Sequence, residues 1–177
     1  MRLSRKEISE CIPHAGRMVL LDEVVEWDDD HIVCRSHSHQ DRDNPLYLAG
    51  QLSAVCAIEY AAQAMAVHGS VLGRRDAETK RTRDRRNAGA SDHENDDAAD
   101  DANRAPSRPR AGFLASVRNV RMEVARLDDV DGALTIAAMR ESGDDARVLY
   151  DFEIRTGERV LVSGRAAVVL DAEGLIA

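Results

Sequence analysis

The clearest periodicity in the chain is a two-residue alternation, Val148, Tyr150, Phe152 and Ile154, which sets four apolar side chains on one face of a strand. The last third of the chain repeats this character in four stretches bounded by Gly or Asp turns: AGFLASVRNVRMEV, GALTIAAMRES, ARVLYDFEIRT and ERVLVSGRAAVVL. Near the start, the β-branched and apolar run Arg17–Trp27 predicts a strand. Asp28, Asp29 and Asp30 predict a turn, and His31–Ser36 the returning strand of a hairpin. Ahead of it a short helical turn is expected from Ser4 to Cys11, with Ser4 as N-cap.

Between these strand-rich parts lies the strongest helical pattern, LSAVCAIEYAAQAMAVHGSVL, Leu52–Leu72, with Ser53 placed to cap it. Val55, Ile58, Ala62 and Met65 fall at helical spacing as an apolar stripe, while Ala54, Ala57, Ala61, Ala64 and Ala66 leave the other faces apolar too. A helix apolar nearly all round is buried nearly all round, and one rich in alanine is thin enough for a sheet to approach closely. Two strands, a buried helix and four more strands predict a single α+β domain over 1–177, an antiparallel sheet of about six strands wrapped around one central helix.

One stretch breaks the pattern. Arg74 to Arg110 contains no Val, Ile, Leu, Phe or Met; its first part is basic and its second, from Asp92 to Asp101, acidic. Such a segment buries too little apolar surface to offset its ordering entropy, so 74–110 is expected to be a disordered charged insertion. Two readings stay open for it: a tolerated surface loop whose halves attract each other, or an arm whose basic block binds an acidic partner.

Composition narrows the function. Aromatic residues make up only 3%, so the core is aliphatic. A net charge of -8 argues against a general nucleic-acid footprint. Cys11, Cys34 and Cys56 are odd in number and lack CxxC spacing, which points away from a disulfide framework or a zinc site and toward a reducing cytosol. MRLSRKEISECIPH lacks the apolar core of a secretory signal, and no apolar run reaches the ~20 residues of a bilayer span, so a cytoplasmic protein without a membrane partner is expected. Of the other histidines, His37 and His39 precede Asp41 and Asp43, too weak a ligand set to predict a metal, and His68 reads as a core or capping residue.

Glu59 is the exception that suggests chemistry. A glutamate inside an apolar helix is costly unless it is paired, protonated or reactive. Gln63 lies one turn on, on the same face. Two readings follow: a general acid/base with a raised pKa, which Gln63 orients or supplements in substrate binding, or a structural polar contact.

The order IPHAGRMVLLDEVVEW, then IEYAAQAM, then strands resembles the 3-hydroxyacyl-acyl-carrier-protein dehydratases of fatty acid synthesis. Pro13, His14, Leu20, Leu21 and Asp22 fit that family's opening P-H-x-x-P-hydrophobic-LLVD segment, with Arg17 at its second proline; Glu59 and Gln63 fit its E-x-x-x-Q helix. The resemblance implies a hotdog fold, no cofactor, and an acyl carrier protein that delivers the substrate. It also implies a homodimer, or a hetero-oligomer with another hotdog protein. The place of that family's G-H-F-P histidine is taken by Asn44-Pro45-Leu46-Tyr47, so the resemblance is to a branch, including the aryl-polyene type, that lacks the usual catalytic histidine. On this basis Glu59 and His14 are the candidate catalytic residues. Gln63, Asn44 and a backbone N–H at Ala54 or Val55 are the candidate substrate contacts. The implied reaction is loss of water from a 3-hydroxyacyl thioester. Thioester hydrolysis and a non-catalytic partner subunit are the alternatives.

Overall fold

A computed structural model describes residues 2–88, 112–143 and 147–169. Its elements in chain order are β1 (Leu3–Ser4), α1 (Arg5–Ser9), β2 (Glu23–Trp27), β3 (His31–Ser36), α2 (Ala57–Ala88), β4 (Phe113–Met122), β5 (Leu134–Gly143), β6 (Arg147–Thr156) and β7 (Arg159–Val169). The strands form one antiparallel sheet in the order β1-β2-β3-β5-β6-β7-β4. Seven strands stand where about six were expected; the addition is Leu3–Ser4, which pairs with Glu23 and Val24.

The alternation seen in the sequence builds the inner face. Val148, Tyr150, Phe152 and Ile154 are all buried, and the register aligns them with apolar neighbours: Ile136, Ile154 and Val162 in one row, Tyr150 and Ala166 in another. Phe152 lies opposite Gly164. A Cβ at Gly164 would stand 2.9 Å from Phe152 Cζ, so the ring occupies space that only glycine leaves open.

Helix α2 lies on this face through Ala57, Tyr60, Ala61, Ala64, Val67, His68 and Val71. The expected stripe of Val55, Ile58, Ala62 and Met65 does not face the sheet as a unit. Met65 is buried, but Val55 is 52% exposed and Ile58 and Ala62 are half-buried. Both faces of the helix are apolar, so spacing alone could not choose between them; the large Tyr60 side chain, fully buried, marks the true inner face.

The strand expected from Arg17 begins only at Glu23. Gly16–Met18 forms a 3-10 turn, and Val19, Leu20 and Leu21 are buried outside any strand. Leu20 N–H donates to Gln63 Oε1 at 2.9 Å, and Leu20 C=O accepts from the hydroxyls of Ser36 and Ser38. At the N-terminus, the Glu7 carboxylate accepts from both the N–H and the Oγ of Ser4, which starts α1 where the sequence placed its cap.

The expectation of disorder from Arg74 is corrected as far as Ala88, because α2 continues through it. Arg74–Ala88 lacks Gly and Pro and is mostly Arg, Lys, Ala, Glu and Asp, a composition with good helix formers. Its root is also anchored: Arg75 pairs with Asp29 and sits 5.9 Å over the Trp27 ring, and Arg74 donates to Glu10 C=O at 2.6 Å. The acidic block lies outside the described residues. By length and composition the stretch 54–86 meets the test for a bilayer span, contrary to the sequence reading, but 56% of its apolar window is buried in this domain, as befits a core helix.

Candidate functional site

Ser53 Oγ caps a 3-10 turn, Ala54–Cys56, that leads into α2. Glu59 follows directly, in the first turn, and Gln63 comes one turn later. Both meet the segment between α1 and β2. His14 Nε2 stands 3.2 Å from Glu59 Oε1, and Gln63 Nε2 donates to the same oxygen at 3.0 Å. Gln63 is buried and fully committed: Nε2 also donates to Met18 C=O at 2.8 Å, and Oε1 accepts from Leu20 N–H. These partners fix which end of the amide is which, so its NH2 group points at Glu59.

The carboxylate is therefore one-sided. Oε1 faces two N–H donors, while Oε2 makes no hydrogen bond among the described residues. The Glu59 side chain is 33% exposed and His14 29%, so the group reaches the surface instead of lying sealed in the core. With Nε2 against a carboxylate, that nitrogen of His14 carries a proton; Nδ1 is buried without a partner and is best left as a bare acceptor.

The other candidates separate. Asn44 is buried and its amide is spent inside the protein: Nδ2 donates to Ser38 C=O at 2.8 Å and Tyr60 Oη at 2.9 Å, and Oδ1 accepts from Leu46 N–H. It is no free substrate contact. Ala54 N–H is likewise used, donating to Ala125 C=O at 2.9 Å. Val55 N–H meets only Ser53 Oγ, at 3.4 Å, and stays at the exposed start of the helix. Of the two backbone donors read from the sequence, Val55 is the more weakly held, its N–H making only the long capping contact to Ser53 Oγ.

Residues 6–82, which hold His14, Glu59 and Gln63, match the model of the ApeP-like family, described as ApeP dehydratase. Among solved structures, the dehydratase heterocomplex ApeI:P from Xenorhabdus doucetiae aligns at a TM-score of 0.65 and 23% identity, over 94% of this chain and 92% of that one. The E. coli PaaI protein from the phenylacetic acid degradation operon aligns at 0.54 and 11%, over 93% and 90%. A hypothetical thioesterase protein with coenzyme A from Streptococcus pneumoniae aligns at 0.50 and 11%, over 95% and 97%. No curated protein matches the chain. The chain is a hotdog protein that resembles the ApeP-like dehydratases.

Three further features of this hotdog bear on the site. Asp128, which carries no signal in the sequence, clamps the loop before α2: it accepts from Leu52 N–H and Tyr47 Oη, both at 2.9 Å, and pairs with Arg126. The Arg126 guanidinium holds its carboxyl well below the usual range, despite the opposing effect of burial. The buried histidines stand apart from Glu59: His39 bonds to Val130 C=O, and His68 to Tyr150 Oη and Asp28 C=O. Among the described residues no cluster of His, Cys, Asp or Glu could hold a metal ion. Finally, a surface depression of about 540 Å³ is lined by residues of β3 to β7 such as His31, Met139, Asp151 and Arg165, and not by Glu59.

Proposed function

We propose that the protein is a dehydratase-like enzyme that removes water from 3-hydroxyacyl thioesters borne by an acyl carrier protein. The observation that supports this reading best is the one-sided carboxylate: two N–H donors hold Glu59 Oε1, and Oε2 is left for a reacting group. Oε2 takes the α-proton of the thioester, assisted by Val55 N–H at the positive end of the helix, where charge grows on the thioester oxygen. The bond from C3 to its hydroxyl then breaks. The proton returns from Glu59 to the leaving oxygen, giving a 2-enoyl thioester and water. One carboxylate serves in both directions, which suits a chain with Asn44-Pro45-Leu46-Tyr47 where the related dehydratases carry histidine.

The exposed part of α2 suits the carrier. Arg74–Arg86 holds seven basic and three acidic residues in a chain of net charge -8, and Lys80, Arg81, Arg83, Arg85 and Arg86 make no ion pair among the described residues. An acidic carrier would dock there, and the attraction would weaken with salt. The solved ApeI:P relative is a heterocomplex, which supports a second hotdog chain, alike or different, as the structural partner.

Purified protein given a 3-hydroxyacyl-carrier-protein should generate enoyl absorbance, and Glu59→Gln should lower kcat by about 10²- to 10³-fold, the range for loss of a general acid/base. Absence of turnover by the wild type, alone and with a second hotdog chain, would sink the reading. The same open Oε2 could instead activate water for thioester hydrolysis; release of free thiol without enoyl product would select that chemistry.

A further inference from the structure

Glu59 is the end of a longer chain of hydrogen bonds. Asn44 Nδ2 donates to Tyr60 Oη at 2.9 Å. The phenol, having accepted there, has its own proton for Ser38 Oγ at 2.8 Å. Ser38 Oγ in turn donates to Leu20 C=O at 2.9 Å, and Ser36 Oγ donates to the same carbonyl at 2.6 Å. Leu20 N–H then donates to Gln63 Oε1, and Gln63 Nε2 to Glu59 Oε1. Both ends of the Asn44 and Gln63 amides have partners of opposite kind, which fixes their orientation. Ser38 Oγ also lies 3.0 Å from Ser36 Oγ, and the order Tyr60 to Ser38 to Leu20 gives each of these hydroxyl protons an acceptor.

Tyr60 is fully buried on the side of α2 that faces the sheet, away from Glu59 although adjacent in sequence. Its ring belongs to the core. Its hydroxyl does not need to be there for packing, and phenylalanine would fill the same space. The Leu20 segment is also the stretch that fails to join the sheet, and these side-chain bonds help hold its N–H toward Gln63. They act alongside the bonds that Met18 C=O accepts from Gln63, Val19 C=O accepts from Arg5 and Asp22 N–H donates to Arg35 C=O.

We propose that Tyr60 is a positioning residue: through Ser38 its hydroxyl fixes the Leu20 backbone, and Leu20 N–H then locks the Gln63 amide with its NH2 on Glu59. The inference rests on Glu59 being the working carboxylate, and goes beyond that reading in naming what aims it. Without the phenol, Ser38 Oγ loses its donor and Asn44 Nδ2 an acceptor, so the segment loosens and the Gln63 amide can turn.

The test uses Tyr60→Phe, with Ser38→Ala as a gentler second variant if the first does not fold. The readout independent of turnover is the side-chain NH2 signal of Gln63, followed by NMR with Gln63→Glu to assign it. In the wild type these protons should exchange slowly; in both variants they should exchange at least about five-fold faster, as expected when a buried hydrogen bond of ordinary net strength is lost. With the thioester substrate, kcat should fall by about the same factor while KM changes less than about two-fold. Folded variants with unchanged Gln63 exchange would overturn the proposal, whatever their rates. So would altered exchange with kcat unchanged in an active enzyme. Should the wild type prove inactive, the exchange measurement alone decides the positioning role, and the failure belongs to the proposed reaction.

Discussion

At the scale of single residues, the chemistry here is set by which side-chain atoms are already occupied. Glu59 and Gln63 were legible in the sequence because polar groups four apart in an apolar helix stand out. Their contact with His14 was not, since it joins distant parts of the chain and rests on the path of an irregular segment. Ala54 illustrates the same limit: its N–H looks free at a helix start until the pairing with Ala125 is seen. Tyr60 and Ser38 carried no signal at all, because a tyrosine in a helix and a serine in a polar loop are ordinary. The buried histidines give a prediction at this scale. Burial pushes the pKa of both His39 and His68 down in the folded protein. The unfolded chain binds protons there from about pH 6.5 downward, so their contribution to stability is full above that pH and is lost as pH falls toward the folded values. Urea unfolding at about pH 7.5 and about pH 5.5, either side of the unfolded value, should show the loss. His68→Gln should shrink the difference between the two; equal midpoints for the wild type would contradict it.

At the scale of elements, alternation identified the strands well, and the corrections come where one polypeptide face had two possible partners. The sheet strands β5 to β7 were legible because their inner and outer residues differ in kind. The face of α2 was not, because Ile58 and Ala62 are as apolar as Ala61 and Ala64. The extension of α2 to Ala88 shows that a segment without a hydrophobic core can still be helical when its residues favour the helix and its first turn is tied down by Arg74 and Arg75. The contact of Gly164 with Phe152 yields a quantitative expectation. Gly164→Ala should cost about 1 to 3 kcal/mol by overpacking, measured by urea denaturation. Combining it with Phe152→Leu should cost less than the two single changes added, because the leucine vacates the space the new methyl needs. Simple additivity would show that the ring moves aside freely.

At the scale of the whole molecule, the sheet ends on a strand that has no further strand beside it among the described residues. β4 is an edge strand, and Phe113, Leu114 and Met122 on it are 53%, 40% and 42% exposed. An apolar edge of this kind pairs with another chain unless it is blocked. This supports the expectation of a hotdog oligomer and predicts that Leu114→Lys with Met122→Lys lowers the mass seen by light scattering without unfolding the domain. A wild-type monomer at micromolar concentration would contradict it.

The anchoring of Arg75 on Trp27 has an optical consequence. Trp27 is the only tryptophan in the chain, and the guanidinium over its ring sits where the exposed part of α2 leaves the sheet. The emission of the native protein therefore reports on one place, the root of the basic helix. A carrier that pulls on that helix would change the colour or yield of the fluorescence with no label attached, and Arg75→Ala would silence the change while leaving the fluorophore itself in position.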